Sequence, residues 1–233
     1  MSDPPGVKGL SAHARAGLEA IVASVAGDER APSSVRNPAE AWRVHIADSL
    51  AGLKFRELRE ASAIADLGAG AGFPGLPLAV TLPATRVDLV EATDRKCAFM
   101  RRTIDAAAIV NARVVCARSE EWASNPPPSG GREAYDVVVA RAVGRLATLA
   151  ELASPLLASD GILVAWKGRR DPDQEAQLER AVERVGMQPD EVRWVGPYAG
   201  SRNRHLHLLR KHGATPDGLP RRPGMAKKRP FGG

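Results

Sequence analysis

An apolar run, Ala63 to Leu67, ends in glycines at 68, 70 and 72, within Ala65-Asp-Leu-Gly-Ala-Gly-Ala-Gly-Phe-Pro-Gly75. Glycine there lets the backbone turn sharply and lets a ligand lie against it. The spacing is Gly-x-Gly-x-Gly. The longer Gly-x-Gly-x-x-Gly presents helix amides to a pyrophosphate. The shorter form suits the amino-acid part of S-adenosylmethionine, which carries no phosphate. Gly68, Gly70 and Phe73 are therefore candidate cofactor contacts. Glu91 lies 19 residues past Gly72 and closes the next apolar run. An acid there can accept hydrogen bonds from both ribose hydroxyls, or it is simply a solvated strand end.

Further candidates follow later apolar runs. Ser119 and Glu120, in Ala117-Arg-Ser-Glu-Glu-Trp122, can bracket an adenine ring, or Ser119 can cap a helix whose first turn favours acids. Arg141 sits between alanines at the end of Asp136–Ala140. It can orient a substrate, contact a phosphate, brace a carboxylate or form an ion pair with a neighbouring loop. Trp166-Lys167-Gly168 and Gly200-Ser-Arg-Asn-Arg-His205 add cations to the same rim, which suits a polyanion. Asn125-Pro-Pro-Pro128 precedes the fourth run and lacks an aromatic, so it reads as a loop. Cys97 and Cys116 have no metal-ligand spacing and follow no fourth strand. They read as reduced core thiols, and no metal site is expected.

These residues need a frame. Strands are expected at Ala63–Leu67, Arg86–Val90, Arg113–Cys116, Asp136–Ala140 and Ile162–Lys167, with two more at Val192–Val195 and His205–Leu209. Helices are expected at 74–82, 94–108, about 143–158 and 171–186. The alternation predicts an α/β fold, a seven-stranded, mostly parallel sheet with helices on both faces, ending in an antiparallel hairpin. Upstream, 11–26 places Leu18, Ile21, Val22 and Val25 at helical spacing, and Asn37-Pro38 opens a helix through Leu53. Three regions follow: a helical part over 1–60, a sheet domain over 61–211 and a tail over 212–233.

The chain has 233 residues and a net charge of +6. Lys211 to Gly233 carries six basic residues against one acid, so nearly all the excess is there. Rich in Pro and Gly and poor in apolar residues, the tail reads as disordered, either screening RNA phosphates or aiding solubility. No apolar run reaches the ~20 residues needed to span a bilayer. The opening MSDPPGVKG lacks the pattern of a secretory leader, so a cytoplasmic protein is expected.

Taken together, the pattern resembles the 16S ribosomal RNA guanine-N7 methyltransferases, the glucose-inhibited division protein B family. The matching pieces are Ser34-Val-Arg-Asn-Pro-Ala-Glu40, His45-Ile-Ala-Asp-Ser49, Asp66 to Pro77, Arg95-Lys96, Arg118 to Trp122, Val139-Ala-Arg-Ala142, Trp166-Lys-Gly168 and Arg204-His205. They cover roughly residues 33–210. The Gly-Phe-Pro-Gly-Leu-Pro extension is more diagnostic than the glycines. The resemblance implies a Rossmann-like class I S-adenosylmethionine-dependent fold and a guanosine substrate in 16S rRNA or the small ribosomal subunit. Its cofactor positions fall on Gly68, Phe73, Ser119, Glu120 and Arg141, and the general methyltransferase pattern adds Gly70 and Glu91. A monomer is expected. The tail lies outside the resemblance.

Guanine N7 bears a lone pair and no proton, so it can attack a sulfonium methyl without a base. No catalytic acid or base is expected. Positioning, with Arg141 on guanine O6, a phosphate or the methionine carboxylate, carries the reaction. Other readings remain: a methyltransferase of the same fold acting on a small molecule or protein, a nucleotide-dependent oxidoreductase, and a non-catalytic RNA-binding protein. The motifs and rim disfavour the first, the glycine spacing the second, and the retained glycines with Glu91 the third.

Overall fold

A computed structural model of the chain describes residues 9–233. The expectation about a leader, and the start of the 1–60 region, fall outside the described residues. Seven strands form one sheet: β1 Ala63–Leu67, β2 Arg86–Glu91, β3 Ala112–Cys116, β4 Tyr135–Arg141, β5 Leu157–Lys167, β6 Met187–Trp194 and β7 His205–Lys211. Their order is β3-β2-β1-β4-β5-β7-β6. Strands β1 to β5 are parallel, and β7 runs antiparallel to both its neighbours. The order reverses between β1 and β4. At such a switch point a crevice opens beyond the carboxyl ends of the strands.

Side chains alternate across the sheet. Ile64, Val87, Leu89, Val137 and Val139 face one layer, with Leu18, Leu76 and Phe99 of helices Ala12–Gly27, Gly75–Thr81 and Asp94–Ala106. Ala65, Leu67, Val138 and Leu163 face the other, with Leu149 of Leu146–Ala153 and Leu178 of Pro172–Glu179. Burial on both faces explains why these strands read as near-continuous apolar runs. Ser11 caps the first helix, accepting a hydrogen bond from the Ala14 amide at 3.1 Å.

Several boundaries differ from expectation. The helix expected to run from Pro38 to Leu53 is a chain of short pieces, with a π turn over Trp42–Ala47 and a 3₁₀ turn over Ala51–Lys54. The fourth helix stops at Ala153 and β5 starts at Leu157, where helix was expected. The 171–186 helix is two pieces, Pro172–Glu179 and Val182–Val185. Strand β6 begins at Met187 rather than Val192. It is an edge strand, and its Gln188-Pro-Asp190 lacks the apolar signature of interior strands.

Two expectations are overturned. Cys97 and Cys116 are not separate thiols but a disulfide, with Cα atoms 5.9 Å apart. The parallel pairing of β2 with β3 brings the helix after β2 against the end of β3. Nor is the tail disordered. Arg221 makes two 2.6 Å hydrogen bonds to the buried Glu151 carboxylate. The Phe231 ring lies between the guanidiniums of Arg184 and Arg221, at 4.0 and 3.9 Å. Leu219 and Ala226 are buried. Composition counts such arginines as solvated charge, whereas here buried acids and an aromatic ring receive them.

Candidate active site

The glycine loop leaves β1 with its backbone in the left-handed region: φ is +67° at Gly68, +62° at Gly70 and +91° at Gly72. Only glycine adopts this without strain. Space is also tight, since a Cβ at Gly68 would lie 2.9 Å from Val143 Cγ2 and one at Gly72 would strike Leu76. The Gly68 and Ala69 amides donate to the Val90 carbonyl at 2.9 and 3.1 Å, tying the loop to β2. Beneath it lies Asp66, fully buried. Its Oδ2 accepts the Gly75 amide at 2.7 Å and its Oδ1 has no partner among the described residues. Burial lifts this carboxyl to about 7, although the Gly75 bond and the charge of Arg141 favour the ionised form.

Glu91 ends β2 beside the loop. Its carboxylate accepts the Gly70 amide at 3.1 Å and the Thr93 amide at 2.9 Å, with Lys96 Nζ at 3.6 Å. Burial opposes ionisation, but the Thr93 and Gly70 hydrogen bonds and the Lys96 charge outweigh it and hold the group below its usual range. Glu91 is thus a fixed anion. After β3, Ser119 begins a single helical turn, Ser119–Trp122, and its hydroxyl donates to Glu120 Oε2 at 3.1 Å. Glu120 Oε1 accepts the Gly224 amide at 2.7 Å.

Gly68, Glu91, Ser119 and Glu120 share one cavity of about 540 Å³. Of the other expected cofactor residues, Gly70 acts behind the wall by holding Glu91. Phe73 and Arg141 belong to a second centre. There Arg141 lines a cavity of about 420 Å³ with His45, Asp48, Lys167, Arg204 and His205. Ala142 borders both cavities. The cations expected on one rim therefore do gather, but beside the glycine cavity rather than in it.

Arg141 is held on every side. Nη1 donates to Asp48 Oδ2 and to the Val44 carbonyl, both at 3.1 Å, and Nη2 lies 3.2 Å from His45 Nδ1. Arginine has only donors, so His45 Nδ1 accepts and its proton sits on Nε2, facing Ser33 Oγ at 2.9 Å. The His45 ring stacks on Phe73, with centroids 4.4 Å apart and planes 9° from parallel. The Arg141 guanidinium lies 5.2 Å from the same Phe73 ring. Burial, helped by the Arg141 charge, lowers His45 to about 4. It is a neutral, fixed ring near pH 7. Asp48 also faces Arg204, Nε to Oδ1 at 3.6 Å, and its carbonyl accepts Trp166 Nε1 at 2.8 Å.

His45, Asp48 and Asp66 had no individual role in the sequence reading. The first two stood only inside a matching block, and Asp66 only inside the loop. Their signal was weak: polar residues in otherwise apolar helix and strand patterns. The C-terminal contribution of Gly224, Ala226, Lys227 and Pro230 to the first cavity had no sequence signal.

The residues present fit S-adenosylmethionine. The first cavity falls within the ~300–1,000 Å³ typical of small-molecule sites. It places a fixed carboxylate, Glu91, and a second acid, Glu120, around a glycine loop whose bare backbone admits close approach. Residues 23–206 match the rRNA small subunit methyltransferase G family. The "Ribosomal RNA small subunit methyltransferase G" of Pelotomaculum thermopropionicum is 38% identical, covering 80% of this chain and 77% of that one. The protein of the same name from Rubrobacter xylanophilus is 38% identical, covering 93% and 83%. Among solved structures, the Methanococcus jannaschii fibrillarin pre-rRNA processing protein shares 20% identity at a TM-score of 0.53, covering 72% and 74%. A SAM-dependent methyltransferase from Aquifex aeolicus shares 16% at 0.51, covering 73% and 92%. The family match spans the glycine loop, the second cavity and all of the first cavity except its C-terminal wall, and the chain belongs to the rRNA small subunit methyltransferase G family of S-adenosylmethionine-dependent methyltransferases.

Proposed function

We propose that this chain methylates N7 of a guanosine in small-subunit (16S) ribosomal RNA, acting in the cytoplasm as a monomer on the RNA or the small subunit. The observation that carries the reading is the pair of cavities meeting at Ala142: one under the glycine loop that presents the fixed Glu91 carboxylate beside Ser119 and Glu120, and a second, cationic one around Arg141, Lys167 and Arg204. The first cavity holds the cofactor, with Glu91 on the ribose hydroxyls, Ser119 and Glu120 at the adenine, and Gly68 against the methionine portion. Bound there, S-adenosylmethionine supplies an electrophilic methyl group. The cationic cavity receives the target nucleotide.

The chain's own residues then have modest tasks. Arg141, fixed by Asp48, Val44 and His45, positions guanine O6, a phosphate or the methionine carboxylate. It stays away from N7, where positive charge develops. Lys167 Nζ donates to the Gly144 carbonyl at 2.7 Å, and with Arg204 it offers charge to the RNA backbone. No proton has to leave N7, which agrees with a site whose His45, lowered to about 4 and fixed between Phe73 and Arg141, is a weak base and whose buried carboxylates serve as anchors. Alignment and exclusion of water carry the rate.

The test is to map N7-methylguanosine in small-subunit RNA from cells with and without the protein. A site that loses methylation supports the reading, and an unchanged map refutes it. Transfer to purified small subunits, naked 16S RNA and free guanosine nucleotides then identifies the substrate form. Light scattering on the purified protein checks the monomer.

A further inference from the structure

The family match ends at residue 206, yet the chain continues in ordered form to Gly233. This continuation is anchored at several points. Lys211, fully buried at the end of β7, donates to Glu133 Oε1 at 3.0 Å and to the Leu157 carbonyl at 2.6 Å. Arg132 Nη1 donates to the Leu219 carbonyl at 3.0 Å. Arg221 is clamped to Glu151. At the far end Arg180 Nε donates to the Gly232 carbonyl at 2.9 Å, and Phe231 lies between two arginines.

Between the Arg221 and Phe231 anchors, the chain crosses the first cavity. Gly224, Ala226, Lys227 and Pro230 line it, and Thr148 Oγ1 donates to the Ala226 carbonyl at 3.1 Å. The contact that matters is the Gly224 amide on Glu120 Oε1, with the Ser119 hydroxyl on the other oxygen. Two donors orient the carboxylate, and each oxygen keeps a lone pair for a ligand donor. Gly224 has φ of +82°, a conformation that aims this amide and that other residues adopt poorly. The open space around its Cα shows that glycine is there for the backbone angle, not for room.

We propose that residues 221–231 form a strap that is part of the S-adenosylmethionine site: it walls the cavity and holds Glu120 in the orientation that receives the adenine amine. This rests on reading the first cavity as the cofactor site. The strap lies beyond the residues that the family model matches. Whatever the docked strap adds to cofactor affinity, the cofactor adds to strap docking, because the coupling is reciprocal.

The test uses the full-length protein. Hydrogen exchange is followed across 219–231 with and without S-adenosylmethionine, and calorimetry gives the cofactor dissociation constant for the unaltered chain, Glu151→Gln/Arg221→Gln, Gly224→Pro and Glu91→Ala. The double variant removes the clamp without stranding a buried charge. Expected are at least tenfold slower exchange over 222–230 on binding, and at least tenfold weaker binding in the double variant and in Gly224→Pro. Unchanged exchange and affinity, with Glu91→Ala impaired, overturn the strap and leave the cavity assignment standing. Tighter binding on releasing the segment also overturns it, because the segment would then be a plug. Unimpaired Glu91→Ala overturns the cavity assignment and the strap with it. If a strap variant fails to fold, exchange on the unaltered protein decides.

Discussion

Asp66 offers a direct test of the electrostatics beneath the glycine loop. Its carboxylate is fully buried and accepts a single hydrogen bond, from the Gly75 amide. Burial raises its folded value to about 7 against 3.8 in an ordinary aspartate. A raised acid binds its proton more tightly in the folded state. Its stabilising contribution is therefore complete below about pH 4 and is lost as pH rises to about 7, at about 1.4 kcal/mol per unit. Asp66→Asn keeps an oxygen for the Gly75 amide and cannot ionise. Between pH 5 and pH 8 the difference in unfolding free energy, variant minus wild type, should move toward the variant by about 3 kcal/mol, because two pH units of the window lie between 5 and 7. The absolute pH profile is a poor readout. His45 and His207, both lowered to about 4 mainly by burial, lose stability as pH falls from 6.5 to 4 and so oppose Asp66 in the same window. The difference removes them. Urea unfolding at half-unit pH steps measures it, and a difference constant to within ~0.5 kcal/mol across pH 5–8 refutes the assignment.

Arg141→Ala should abolish methylation and lower stability by roughly 3 kcal/mol, since it leaves the buried Asp48 carboxylate without its nearest cation. The double variant Arg141→Gln/Asp48→Asn should recover most of the stability and none of the activity, as read by urea unfolding and methyl transfer to small-subunit RNA. His45 should show no titration above pH 5.5 by NMR, and the methylation rate should carry no inflection from it between pH 6 and 8. An imidazole titrating near 6.5 would contradict the packing between Phe73 and Arg141. Joining Cys97 to Cys116 closes a 19-residue separation, so Cys97→Ser/Cys116→Ser should unfold about 2–3 kcal/mol more easily in non-reducing buffer. With dithiothreitol the wild type should fall to the variant's level.

What could be read from the sequence is what the chain determines locally. Three glycines at alternate positions after an apolar run mark a turn, whatever else surrounds them. Glu91 follows from its distance to that turn. A mostly parallel sheet closed by an antiparallel hairpin follows from alternation, but the strand order that sets the switch point does not, because several doubly wound orders share the same alternation. Interior strands were legible through their valines, but β6, an edge strand carrying Pro189, was only half visible. Arg141 was the harder case. Its position after a strand was plain, but its carboxylate partner lies 93 residues away in a helix distorted by a π turn. No local pattern distinguishes a cation facing a cofactor from one fixed by a distant acid.

The tail shows the same limit in its strongest form. Counted as composition, it is a solvated +5 segment with few apolar residues. Its order depends on acids elsewhere: Glu133 receives Lys211, Glu151 receives Arg221, and Glu120, 104 residues upstream, receives the Gly224 amide. Glu133 is held at about 2, chiefly by hydrogen bonds from Thr215, so that partner stays charged throughout the neutral range. Once Lys211 and Arg221 are paired, the exposed basic residues of the segment are Arg222, Lys227, Lys228 and Arg229, held on either side of Gly224 and Ala226 at the cavity wall. The charge that composition assigned to a free tail is thus fixed beside the first cavity, while a separate set of cations surrounds Asp48. A polyanion approaching the crevice meets positive charge at both cavities, and the acids Asp48, Glu120 and Glu151 are buried beneath the surface it touches.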